Sequence, residues 1–264
     1  MDSKKSKIIF VLSGGGARGL AHLGFLKVLE KEGIKPDAII GVSMGAFVGG
    51  LYAAGMSIKE MEETAKQIKK FKKVLFFTSR PNKTGLIQGG PIEKYIANIV
   101  GKKRIENLKI PFYAVATDLN KGTDVVINKG PLVEAILASM AIPGLISPVK
   151  LKNKILIDGR ISNPLPTDLA RDLGGELIIV SNTQFPVQKV NDYPINIIGI
   201  LRRSLEIVES KNLENLLSKE KEIIVIMPKV EKINILEYEL AEKIISLGKS
   251  ATQKKLEEIK KRLQ

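Results

Sequence analysis

Gly41-Val42-Ser43-Met44-Gly45 has the spacing G-x-S-x-G, between the apolar run Ala38-Ile39-Ile40 and an uncharged stretch rich in small residues. A serine in that setting sits on a sharp strand-to-helix turn, and small neighbours let a substrate reach its hydroxyl. A second glycine-rich turn, Ser13-Gly14-Gly15-Gly16-Ala17-Arg18-Gly19, follows the apolar run Ile8–Leu12. Backbone N–H groups in such a turn, at the start of a helix, can stabilise developing negative charge. The two turns together read as the parts of a serine hydrolase. Ser43 is the candidate nucleophile. The N–H groups of Gly14, Gly15, Gly16 and Met44 are the candidate oxyanion donors.

The histidine count constrains the base. The chain has one histidine, His22, and it precedes Ser43. The α/β-hydrolase order of serine, acid and then histidine is therefore excluded. A carboxylate must take the serine proton. The best placed is Asp158, which closes the apolar run Ile155-Leu156-Ile157 and is followed by Gly159. A carboxylate at a strand end beside a tight turn can serve as a general base. Asp118 and Asp168 are alternatives.

These blocks resemble the patatin-like phospholipases. The family's G-G-G-x-[RK]-G oxyanion loop is similar to Gly14–Gly19, its G-x-S-x-G elbow to Gly41–Gly45, and its D-G-[GA] motif to Asp158-Gly159-Arg160. Ala138-Ser139-Met140-Ala141-Ile142-Pro143 resembles its A-S-x-A-x-P segment. The blocks stand in the family's order and span most of the chain. The resemblance implies a Ser43–Asp158 dyad, an acyl-enzyme, no metal or other cofactor, and phospholipid or lysophospholipid substrates. It also implies that His22 is a packed structural residue. Arg160 departs from the pattern, standing where the family has glycine or alanine. A guanidinium against Asp158 would weaken proton abstraction. Arg160 is therefore expected to point away, toward a substrate headgroup or a carbonyl. Arg18 is expected either to hold a phosphate or oxyanion, or to lie on a helix surface.

Other functions fit the residues less well. Gly14, Gly16 and Gly19 also spell G-x-G-x-x-G, but a dinucleotide fold needs an acidic residue at the end of the second strand. That strand ends at Ile40-Gly41, and Asp37 lies before it. An acyltransferase would use the same acyl-enzyme with a different acceptor. A non-catalytic lipid-binding module is the third alternative, separated from both by turnover.

Composition narrows the partners. Among 264 residues there is no cysteine, so disulfides and thiolate metal sites are absent. The formal net charge of +14 favours anionic partners such as lipid headgroups or an anionic membrane surface touched peripherally. Nucleic acid is not expected, because no recognition motif accompanies the charge. A cytoplasmic location is expected. Ile8–Leu12 is too short for a secretory h-region. The charge-free Ala38–Ile58 reads as a buried strand, elbow and helix in place of a membrane span.

The positioning elements follow from periodicity and breakers. Strands are expected at Ile8–Leu12, Ala38–Ile40, Pro111–Asp118, Thr123–Asn128, Ile155–Ile157, Glu176–Ser181 and Ile223–Met227. Helices are expected at Arg18–Glu32, Met44–Ala54, Ser57–Lys70 behind a capping box, from Pro91, and at Pro131–Met140, Pro166–Leu173, Ile195–Leu217 and Tyr238–Leu263. Phe76–Gly90 reads as loop, with Phe76-Phe77 and Ile142–Pro148 bordering an acyl pocket. Val187–Pro194 reads as a mobile loop. The lysine-rich closing helix carries an apolar stripe, expected to dock on the core. Strands alternating with helices imply one α/β domain over residues 1–264, a mostly parallel sheet covered on both faces.

Overall fold

A computed structural model describes residues 6–78, 83–185, 199–200, 203–208, 210–211 and 223–263, with residues 72–78 described for the backbone alone. The expected helix Ile195–Leu217 lies largely outside these residues, as does the expected loop Val187–Pro194.

Five short, fully apolar or near-apolar runs form a parallel sheet: β1 (Ile8–Leu12), β2 (Ala38–Val42), β4 (Phe112–Asp118), β9 (Leu177–Ser181) and β10 (Ile224–Ile226). Their order is β10-β9-β1-β2-β4. Continuous hydrophobic runs suit strands that are buried on both faces. In β1, Ile8, Phe10 and Leu12 enter one apolar core while Ile9 and Val11 enter a second. The first core is the larger. It is built with α1 (Ala21–Lys31), α2 (Met44–Ala53), α3 (Ile58–Thr78), α4 (Gly89–Val100), α5 (Leu132–Ser139) and α7 (Ala241–Leu263). Among the described residues the opposite face is covered by α6 (Thr167–Asp172), through Leu169 and Ala170, with Leu165 and Leu173 beside it. The expected α/β architecture is present.

The sheet is completed by antiparallel strands. β5 (Asp124–Ile127) and β8 (Lys154–Asp158) both pair antiparallel with β4, and β7 (Val149–Leu151) pairs with β8. The register shows how β4 serves two partners along one edge. β2 pairs with its first half, to Val42 opposite Val115. β8 pairs with its second half, from Asp158 opposite Ala116. Successive residues of a strand aim their backbone groups at alternate edges. The odd-numbered carbonyl of Pro111 accepts from Ile39, and the odd-numbered amide of Leu119 donates to Ile155; the even-numbered Asp118 amide instead donates to Thr123. β2 and β8 therefore lie end to end, and because they run in opposite directions their carboxyl ends meet.

Several sequence expectations are corrected. Phe76 and Phe77 are helical, because α3 runs on to Thr78. Within the expected loop, β3 (Gly85–Ile87) pairs in parallel with β6 (Gly144–Ile146), a two-stranded sheet too short to show a period. α4 begins at Gly89, which places Pro91 third in the helix, where its missing N–H is still costless. α2 is buried along its whole length, which accounts for the charge-free stretch. Among the described residues no helix is long and apolar enough to cross a membrane. The apolar stripe of α7 packs on the core through Ile244, Ile245 and Ile259, leaving Lys254, Lys261 and Arg262 exposed.

Candidate active site

Ser43 is the only residue between β2 and α2. Such an abrupt reversal forces a strained backbone, and Ser43 has φ 54° and ψ −120°. The flanking glycines make the turn possible. A Cβ on Gly45 would stand 2.2 Å from the Leu12 carbonyl oxygen, and one on Gly41 would stand 2.5 Å from Ala46 Cα. The spacing is thus a steric requirement of placing α2 against β1 and β2.

Asp158 is the last residue of β8 and caps the 3-10 turn Gly159–Ile161. Its amide donates to Ala141 O at 2.9 Å, and its carbonyl accepts from Thr117 Oγ1 at 2.9 Å. The meeting of β2 and β8 along β4 brings the two side chains together. Ser43 Oγ donates to Asp158 Oδ2 at 2.6 Å. Asp158 is fully buried and Ser43 nearly so. The alternatives are engaged elsewhere: Asp118 Oδ1 accepts from the Asn120 amide, and Asp168 accepts from Asn163 Nδ2.

Arg160 does not point away. Its amide and its Nε both donate to Asp158 Oδ1, at 3.0 and 3.3 Å. The physical reason is burial. A carboxylate withdrawn from water needs charged or hydrogen-bonding compensation, and the turn residue two positions on supplies it. Oδ1 is engaged by Arg160, and Oδ2 is left to Ser43. The Arg160 chain lies over Gly14, where a Cβ would stand 2.2 Å from Cδ. Arg18 is tied to backbone carbonyls. Its Nε donates to Ile233 O and its Nη2 to Glu231 O, so it fastens the segment before α7 to the glycine loop.

Among the described residues nothing accepts from the N–H groups of Gly14, Gly15, Gly16 or Met44. Gly16 and Met44 border the same cavity as Ser43; Gly14 and Gly15 lie between Arg160 and Thr183. That cavity is lined almost wholly by apolar side chains, among them Phe47, Phe71, Ile96, Ile142 and Leu236. Of the segments expected to border a pocket, Ile142, Leu145 and Ile146 do so, whereas the side chains of Phe76 and Phe77 are outside the described residues. Tyr238, on the cavity wall, is pushed up to about 12 by burial, with Arg160 acting in the opposite sense.

His22 is buried behind the loop. Its Nε2 is 2.9 Å from Ser13 O, and its Nδ1 is 2.8 Å from Ser181 Oγ. A carbonyl only accepts, so Nε2 carries the proton and Nδ1 accepts from the Ser181 hydroxyl. Burial holds the ring down at about 4, against the opposing effect of the Ser13 carbonyl. The ring faces away from Asp158 and Ser43 in its bonding, consistent with a packed structural role.

Sequence reasoning missed Ser139. Its Oγ accepts from the Ser43 amide at 2.8 Å and donates to Val115 O at 2.6 Å. Val115 lies where β2 ends and β8 has not begun, so the hydroxyl replaces the missing rung of the ladder. The only sequence signal was its place in the A-S-x-A-x-P block, which carried no geometry.

A serine on a strand-to-helix elbow, a carboxylate at the meeting strand end and a nearby glycine loop form the candidate active site of this α/β fold. A family model for patatin-like phospholipases matches residues 10–171, and the chain belongs to that family. An uncharacterized NTE family protein of Mycobacterium tuberculosis is 38% identical over 177 residues, covering 67% of this chain and 49% of the relative. The human patatin-like phospholipase domain-containing protein 6 is 34% identical over 179 residues, covering 65% of this chain and 13% of that protein. The chain thus spans about half the length of the mycobacterial relative, or less of the others. The structure of VipD from Legionella pneumophila is similar in fold, with a TM-score of 0.55 at 13% identity, over 96% of this chain and 67% of that one. The ExoU–SpcU heterodimer of Pseudomonas aeruginosa gives a TM-score of 0.53 at 16% identity, over 98% of this chain and 52% of that one.

Proposed function

We propose that this protein hydrolyses carboxylic esters of lipids, of the phospholipid or lysophospholipid class, through an acyl-enzyme on Ser43. The observation that carries this reading is the 2.6 Å hydrogen bond from Ser43 Oγ to Asp158 Oδ2 at the wall of an apolar cavity. Family membership supports the lipid substrate class.

In the first half-reaction Ser43 Oγ attacks the ester carbonyl while its proton passes to Asp158 Oδ2. The carbonyl oxygen becomes an oxyanion and takes hydrogen bonds from the open N–H groups of the glycine loop and Met44. As the C–O bond breaks, the alcohol leaves with the proton that Asp158 returns. In the second half, Asp158 takes a proton from water as it attacks the acyl-enzyme. The carboxylic acid leaves, and Ser43 regains its proton. Arg160 holds Oδ1 throughout, so the carboxylate keeps the orientation that presents Oδ2. The acyl chain lies in the cavity, where apolar walls favour it by about 25 cal/mol per Å² buried.

The test is hydrolysis of a chain-length series of nitrophenyl esters by wild type, Ser43→Ala and Asp158→Asn, with folding verified by circular dichroism. Activity lost in both folded variants, by about 10³-fold or more, is expected of residues that act as one unit. Retained turnover in Ser43→Ala overturns the reading. Labelling of Ser43 by a fluorophosphonate without ester turnover would favour an acyltransferase lacking its acceptor; absence of both would favour a lipid-binding module.

A further inference from the structure

The oxyanion loop is held from behind by residues outside the segment that the family model matches. Thr183, just past β9, is fully buried. Its Oγ1 donates to Gly14 O at 2.7 Å, and its amide donates to Ser13 Oγ at 2.8 Å. Ser13 Oγ makes a longer bond to the same Gly14 carbonyl, 3.1 Å. In a trans peptide the C=O and the following N–H point in opposite directions within one plane. Fixing the Gly14 carbonyl toward Thr183 therefore aims the Gly15 N–H away from Thr183. No described residue accepts from that N–H. Thr183 and the Arg160 chain both approach the loop closely: a Cβ on Gly15 would stand 2.4 Å from Thr183 Oγ1, and one on Gly14 would stand 2.2 Å from Arg160 Cδ. Arg160 in turn is bonded to Asp158, so the loop is braced between the carboxylate's partner and Thr183.

We propose that Thr183 is a positioning residue for the oxyanion loop, whose hydroxyl sets the direction of the Gly15 N–H toward the developing oxyanion. This rests on the Ser43 acyl-enzyme reading. A glycine loop has little conformational preference of its own, and an oxyanion donor contributes in proportion to how well it is aimed before the reaction. Thr183 supplies the aim without touching substrate.

The experiment compares wild type, Thr183→Ser, Thr183→Ala and Ser43→Ala on one nitrophenyl ester. It also measures inhibition by a trifluoromethyl ketone bearing the same acyl chain, whose adduct with a serine is a tetrahedral oxyanion. Thr183→Ala is expected to lower kcat by about ten- to a hundredfold, less than outright loss of a donor. KM should stay within about threefold, since ground-state binding is not touched. The ketone's inhibition constant should rise by the same factor as kcat falls. Thr183→Ser keeps the hydroxyl and should behave as wild type. Equal kcat in the Ala and Ser variants overturns the proposal, as does a kcat loss with an unchanged inhibition constant. Should Thr183→Ala not fold, Thr183→Val is judged by the same criteria. An active Ser43→Ala removes the acyl-enzyme reading itself. An inactive one, with Thr183→Ala equal to Thr183→Ser, removes only the role of Thr183.

Discussion

At the scale of single residues, the site depends on buried hydrogen bonds beyond the one between Ser43 and Asp158. Ser139 is an example. Its hydroxyl is the shared partner of the Ser43 amide and the Val115 carbonyl, all three buried. Removing it strands a donor and an acceptor, each costing about 1–3 kcal/mol when left unpaired. Ser139→Ala should therefore lower unfolding free energy by about 2–6 kcal/mol, read from urea titration. It should also lower kcat, because the strained φ of Ser43 persists only while its surroundings enforce it. A variant of wild-type stability and activity would show that the elbow holds itself. Arg160 teaches the same point from the other side. The fully buried Asp158 carboxylate carries a desolvation cost that the Arg160 guanidinium offsets.

At the scale of elements, close approach decides what local preference leaves open. α1 and α7 pack against each other through a pair of glycines. A Cβ on Gly24 would stand 2.1 Å from Ile245 O, and one on Gly248 would stand 2.0 Å from Ala21 O. Helix propensity alone favours alanine over glycine by about 1 kcal/mol. Here backbone stands in the way and cannot rotate aside, so the sign reverses. Gly24→Ala and Gly248→Ala should each destabilise by about 1–3 kcal/mol, the usual cost of overpacking. Stabilisation of either in chemical denaturation would mean that the two helices separate freely. The surface ion pairs Lys260–Glu32, between α7 and the end of α1, and Lys27–Glu62, between α1 and α3, add little by comparison.

At the scale of the whole molecule, His22 couples stability to pH. The folded chain holds its ring at about 4, below the unfolded value of 6.5. Between these values the unfolded chain binds the proton and the folded chain does not, so stability rises with pH across the window. The contribution is complete above pH 6.5 and is lost as pH falls toward 4, by about 3 kcal/mol in all. Denaturant midpoints from pH 7 to 4 should fall more steeply in wild type than in His22→Asn. Parallel curves for the two would place the pH dependence in other groups. Once His22 is protonated, Nδ1 becomes a donor and the Ser181 hydroxyl must turn to accept from it.

Ser43, Asp158 and the glycine loop were legible in the amino-acid sequence because their constraints are local. An elbow one residue long needs small residues two positions to either side, and a strand-end aspartate followed by glycine caps its own turn. Sequence patterning likewise determined the parallel strands, whose apolar runs reflect burial on both faces. The direction of Arg160, the anchoring of Arg18 and the parts played by Ser139 and Thr183 were decided only by the tertiary structure. So was the end-to-end meeting of β2 and β8, through which the serine reaches its carboxylate. In each case the deciding contact joins distant parts of the chain: Ser43 to Ser139 across 96 positions, Gly14 to Thr183 across 169. Such contacts arise from satisfying buried polar groups after the layers have packed, and a local pattern of residue types carries no record of which distant group will arrive.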